Sequence, residues 1–130
     1  MTRGIRNNNP GNIRISATTH WMGQSVNQTD GAFVQFDSAV YGIRAIVRIM
    51  RSYQRGGIRT LHDAINRWAP PNENNSAAYV DAVCDDCKVH PYDNVDLETI
   101  MPALVKAIIK HENGSQPYSE GQIESAIAIA

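Results

Sequence analysis

The spacing of apolar residues along the chain changes character once, near Asp37. Before it, "NIRIS" (12–16) and "AFVQF" (32–36) alternate apolar and polar positions, the period of half-buried strands. A polar stretch, "ATTHWMGQSVNQTDG", lies between them, so a small hairpin or three-stranded sheet is predicted near the N-terminus. After Asp37, Val40, Ile43, Val47, Met50 and Tyr53 recur at helical spacing. Asp37 and Ser38 are good caps for the start of that helix, and Gly56-Gly57 ends it. Thr60 caps a shorter helix, "LHDAINRWA", which stops at Pro70-Pro71. A third helix is predicted from about Asn75 to Asp85. A loop rich in Pro, Asp and Asn (88–96) follows it.

The next helix starts near Thr99 and tolerates Pro102 in its first turn. Ile100, Leu104, Ile108 and Glu112 fall at successive steps of four, so a carboxylate ends an apolar stripe just before the turn at Asn113-Gly114. Ser119 with Gln122 makes a capping box for a last helix, "EGQIESAIAIA". The pattern predicts an α+β fold that is mostly α, with about five helices and a small N-terminal β element. The length, 130 residues with 42% hydrophobic, suits one domain over residues 1–130.

Charge and cysteines narrow the classes. Lys and Arg total 12 against 13 Asp and Glu, so nothing demands a polyanionic partner and no nucleic acid is expected. Arg44, Arg48, Arg51 and Arg55 follow helical spacing on one face, which reads as a solvated helix face or as a patch for an anionic polymer. No apolar run is long enough for a transmembrane helix, and "MTRGIRNNNPGNIR" lacks the apolar core of a signal peptide. Synthesis in a bacterial host cytoplasm and a monomeric state are expected. Cys84 and Cys87 form a C-x-x-C, but with no other cysteine they read as two thiols near a helix end, and no metal or other cofactor is expected.

At the end of its helix, a partly buried Glu112 is disfavoured in its charged form by desolvation and by the negative end of the helix dipole. A carboxyl kept protonated is what glycosidic-bond cleavage needs in a general acid. The competing reading is a solvent-facing Glu at a frayed helix end. Asp30, in "TDGA", is either a second carboxylate that activates water or a turn-former, since Asp-Gly favours turns.

"LVKAIIKHENGSQPYS" resembles the catalytic helix of lysozyme-like lytic transglycosylases, with Glu112 on the catalytic Glu. "WMGQSVNQTDGAFVQFDS" resembles the β-hairpin of flagellar-type glucosaminidases. "AINRWAPPNENNSAAYVDAV" is similar to the Ala-Tyr-Asn-Ala-Gly-Pro and Glu-Thr-x-x-Tyr-Val-x-x-Val blocks of lytic transglycosylases. "NNNPGNIR" resembles the strand that follows the catalytic helix in those enzymes. Since the helix comes last here and the β element first, the resemblance implies a circularly permuted lysozyme-like domain. "RGIRNNNPGNIR" and "RWAPPNEN" also resemble segments of small phage proteins of endolysin-like or virion-associated type.

The resemblance implies a peptidoglycan-cleaving muramidase or lytic transglycosylase that acts on glycan strands of the cell wall after release or as part of a virion. Glu112 would be the acid and Asp30 the second carboxylate. Glu73 and Tyr79 would line the cleft or orient the saccharide, although Glu73 also suits a helix N-terminus. Trp21 and Trp68 are candidates for stacking on sugar rings or for the core, and Asn9 and Asn12 for bonding the glycan or building the turn at Pro10-Gly11. Tyr118, in the loop after Glu112, completes the set of candidate substrate contacts. A non-catalytic wall-binding or virion module of the same fold is the first rival, and a nucleic-acid-binding protein the second.

Overall fold

The computed structural model describes residues 1–130 and contains six helices. They are α1 (Arg3–Arg6), α2 (Ala39–Arg55), α3 (Leu61–Trp68), α4 (Ser76–Cys87), α5 (Met101–Asn113) and α6 (Glu120–Ile129). The five longer helices lie where the apolar spacing predicts them, and the short α1 is additional. Their starts follow the sequence closely. Thr60 accepts from the Asp63 backbone N–H, Asn75 accepts from that of Ala78, and Ser119 and Gln122 form a complete capping box. Of the two caps considered above for α2, Ser38 and not Asp37 takes the N-cap position. The Asp37 side chain instead accepts from the Ser25 hydroxyl at 2.8 Å. No helix is long and apolar enough to cross a membrane.

α5 is central, packing against α1, α2, α4 and α6. Met101, Leu104, Val105, Ile108 and Ile109 are fully or almost fully buried, and they join Ile43, Ile46, Met50, Leu61, Ile65 and Ile123 in one core. Each such side chain contributes about 1.5–3 kcal/mol by leaving water. α6 is tied back to α2 at its C-terminal end, where the last carbonyls of a helix have no partners of their own. Arg51 donates to the Ala130 carbonyl and makes a two-pronged ion pair with Glu98, while Arg44 donates to the Ile129 carbonyl. Half of the arginine stripe on α2 is therefore structural.

The predicted N-terminal β-hairpin is not formed. Only isolated bridges join Arg14 to Phe33, Ser16 to Thr19 and Gln24 to Phe36. Backbone hydrogen bonds from Val34 to Ile13 and from Ile15 to Ala32 flank the first bridge, and side-chain amides supply what an extended ladder would. Gln28 donates to the carbonyls of Ser25 and Gln35 and accepts from the Gln35 backbone N–H. Asn9, fully buried, donates to the carbonyls of Ile13 and Val34 and accepts from the Ile13 N–H. Asn8 donates to the Phe36 carbonyl and Asn7 to Asp30. The alternation in "NIRIS" and "AFVQF" is real, but only part of it is buried: Val34 and Phe36 pack with Ala45, Ile13, Trp21 and Tyr41, while Ile15 is exposed.

Two glycines bring this asparagine-rich loop against the helices. A β-carbon on Gly42 of α2 would lie 1.9 Å from the Asn8 carbonyl oxygen, so no other residue allows that approach. On Gly4 of α1 it would lie 2.7 Å from the side-chain oxygens of both Asn12 and Asn113.

Candidate functional site

Asn113, the last residue of α5, is buried and acts as a clamp. Its amide donates to the carbonyls of Pro10 and Ile109, and its oxygen accepts from the Thr2 hydroxyl at 2.7 Å. Gly114 follows with φ +77°, which turns the chain away. The end of α5 is thus fixed to the N-terminal loop, and the adjacent Glu112 is held in register with Asn12.

Glu112 is half-buried, and both its oxygens have partners. Oε1 accepts from the Asn12 amide at 3.0 Å, and Oε2 accepts from the Tyr79 hydroxyl at 2.8 Å. Tyr79 in turn accepts from the Trp68 indole N–H at 3.0 Å. An indole nitrogen only donates, so the tyrosine oxygen receives that bond and its own proton points at Glu112. Burial, then the negative charge of Glu112, push the Tyr79 hydroxyl far up from its ordinary value, so it remains a neutral donor. The His111 ring packs on Tyr79, with centroids 3.8 Å apart. Asn12 adopts a left-handed backbone with φ +50°, which Asn tolerates better than most residues. Tyr79→Phe is expected to lower stability by about 1–3 kcal/mol, because the Trp68 N–H loses its acceptor; denaturant unfolding measures it.

Glu112 borders a groove of about 720 Å³. Gly11, Asn12, Ile13, Arg14 and Phe33 line it from the N-terminal segment, Ile49 and Tyr53 from α2, and Trp68 from α3. Ala69, Pro70, Glu73 and Asn74 line it from the loop before α4. Of the residues singled out from the sequence, Glu112, Asn12, Trp68 and Glu73 therefore meet at one groove. Tyr79 does not line it; buried, it reaches Glu112 from within the fold. Glu73 lies in an exposed turn, and the cap of α4 is Asn75.

The others are elsewhere. Trp21 packs on the small cluster of Val34, Phe36 and Ala45. Tyr118 packs against the main core, with its hydroxyl buried and unpartnered. Asp30 is not among the groove-lining residues. Its side chain is only 6% exposed and makes a two-pronged ion pair with Arg3, at 2.5 and 2.8 Å. It also accepts from Asn7 and from the backbone N–H groups of Ala32 and Phe33. The Arg3 bond first, then that from Asn7, hold Asp30 far below the usual carboxylate range. A carboxylate with a depressed folded value contributes stability that is present above its unfolded pKa, about 4, and is lost as pH falls below it. The stability deficit of Asp30→Asn is therefore expected to shrink as pH is lowered from 7 to about 3, read as the gap in thermal midpoint between the two proteins.

The two thiols lie on α4. Cys84 is buried, and Cys87 is pushed up to about 11 by burial, then by Cys84 and Asp86, so both stay protonated and poorly nucleophilic. No group of three or more His, Cys, Asp or Glu side chains is gathered to hold a metal ion.

Two asparagines that matter here, Asn7 and Asn113, are absent from the functional residues read from the sequence. The density of Asn in "NNNPGN", more than one turn needs, could have pointed to Asn7; Asn113 is legible only as half of the turn with Gly114.

No protein-family model matches the chain. It is 37% identical over 125 residues to Protein P5 of Pseudoalteromonas phage PM2, an alignment that covers 94% of this chain and 78% of that protein. At that identity and coverage, the chain belongs to the family of the phage PM2 Protein P5.

Proposed function

We propose that the protein is a peptidoglycan-cleaving glycosidase of lysozyme-like type that works as a lytic transglycosylase, with Glu112 as its acid and base. The observation that carries this reading is the half-buried Glu112 carboxyl at the edge of a polysaccharide-sized groove, aimed by Asn12 and Tyr79. Glu112 gives its proton to the bridging oxygen as the C1–O4 bond between N-acetylmuramic acid and N-acetylglucosamine breaks. The sugar's own 6-hydroxyl then closes on C1, and its proton returns to Glu112. No water is consumed, and the new end is a 1,6-anhydro sugar.

Transglycosylation is preferred to hydrolysis because Asp30, the carboxylate that could activate water, is engaged with Arg3 and is not among the groove-lining residues. Glu73 is at the groove but exposed, where it suits contact with the glycan better than proton transfer. Glu112 lines the same groove as Arg14 and Phe33 of the N-terminal segment, which is in keeping with a permuted lysozyme-like arrangement in which an acid and that segment border one cleft.

Digestion of purified peptidoglycan with mass analysis of the fragments tests the proposal. Anhydro ends, each lighter by one water than a reducing end, are expected. Reducing ends would make the enzyme a muramidase. Both oxygens of Glu112 have partners within the fold, an arrangement that also suits a non-catalytic wall-binding module. A protein that binds peptidoglycan and releases nothing would favour that second reading.

A further inference from the structure

Two guanidinium groups lie over the Phe33 ring, Arg3 at 4.6 Å and Arg14 at 4.9 Å from its centre. The two arginines are not equivalent. Arg3 is committed to Asp30. Arg14 makes neither an ion pair nor a side-chain hydrogen bond with any residue, yet it is held in place. Its backbone is bridged to Phe33, with hydrogen bonds on either side from Val34 to Ile13 and from Ile15 to Ala32. Stacking on Phe33 restrains the guanidinium while leaving its edge N–H groups unused. Arg14 is also the one cation among the groove-lining side chains, which otherwise carry the acids Glu73 and Glu112.

We infer that Arg14 is a specificity-determining residue that binds a carboxylate on the substrate. A guanidinium presents a fork of N–H donors that matches a carboxylate in two-pronged geometry. A fixed guanidinium donates to the oxygens of any glycan, and with a neutral one it gives the groove no selectivity. The groove gains selectivity if the glycan carries an acid on alternate sugars. Muramic acid does so, through its lactyl arm or through the peptide attached there. The inference rests on the glycan reading of the groove and deepens it: the substrate is an anionic glycan, distinguished from chitin-like polymers at Arg14.

The test is binding to the Glu112→Gln protein, so that no turnover interferes. Three tetrasaccharides are titrated: neutral chitotetraose, a muramic-acid-containing chain with free lactyl carboxylates, and the same chain with its peptides. At least one anionic chain is expected to bind more tightly than chitotetraose, and the preference to weaken with salt. Adding Arg14→Gln should reduce affinity for that chain by roughly 5-fold, the modest size expected of an exposed ion pair, and Arg14→Lys should retain part of it. Which anionic chain responds tells the lactyl arm from the peptide. Equal affinity for neutral and anionic chains, or an Arg14→Gln loss that is the same for both, would overturn the inference while leaving the glycan reading intact. Failure of all three to bind would overturn both.

Discussion

Glu112→Gln is expected to fold, to bind peptidoglycan and to lose at least about 100-fold in cleavage rate. The size follows from chemistry. A positioned general acid or base typically contributes about 100- to 10,000-fold, and Glu112 would serve as both in the proposed reaction. Gln keeps the shape of the side chain but has no proton to transfer. Its stability effect should be small, within about 1 kcal/mol. One oxygen is retained for Tyr79, and the Asn12 amide can turn its own oxygen to the new NH₂ group. A variant that cleaves at the original rate would remove Glu112 from the mechanism. Circular dichroism and the peptidoglycan-binding measurement keep a loss of activity from being mistaken for a loss of fold.

The largest effect on stability is expected from Asn9→Ala, at about 3–5 kcal/mol in denaturant unfolding. Asn9 is fully buried and satisfies three backbone groups at once: the Ile13 N–H and the carbonyls of Ile13 and Val34. Alanine leaves the Ile13 N–H and the Val34 carbonyl without this partner, while the Ile13 carbonyl keeps the Val34 N–H, and each unsatisfied buried group costs about 1–3 kcal/mol. The same change should disturb Asn12, three residues on, whose backbone N–H bonds the Asn9 carbonyl. Asn9→Ala should therefore also weaken activity, although Asn9 does not line the groove. Asn9→Asp would separate the two terms, because it keeps an acceptor for the Ile13 N–H while facing two carbonyls with a charge. It should be at least as destabilising as alanine. A loss below about 1 kcal/mol for Asn9→Ala would mean that water replaces the amide and that the loop does not depend on it.

The helices were legible in the sequence because their determinants are local. Thr60, Asn75, Ser119 and Gln122 cap the helices that the spacing of apolar residues predicts, and the four-residue steps through Leu104 and Ile108 lead to Glu112. The β element was misread because alternation records which positions are half-buried, not what pairs with their backbone. Here the two segments pair only at the Arg14–Phe33 bridge and its flanking bonds, and Gln28 and Asn9 bind further backbone groups from their side chains, which a one-dimensional pattern does not distinguish from a neighbouring strand. α1 was missed because four residues carry no periodicity; its cap, Thr2, is meaningful only beside Asn113. The double reading of Asp30, as base or turn residue, stayed open because its partner Arg3 lies 27 positions away. Tyr79 and Trp68 were singled out as substrate contacts, whereas their geometry links them first to each other and to Glu112.

The joint between the N-terminal loop and the end of α5 has a kinetic side. The bonds from Asn12 to Glu112, Asn113 to Pro10 and Thr2 to Asn113 close loops of 100, 103 and 111 residues. Contacts of such long range bring chain-closure entropy into folding before they return any stabilisation, and they slow it. During synthesis the first dozen residues can meet the segment around Val34 and Phe36 and the face of α2 at Gly42, but their bonds to Glu112 and Asn113 wait until α5 has left the ribosome. The Glu112 edge of the groove is therefore closed by one of the last long-range events in the life of the nascent chain.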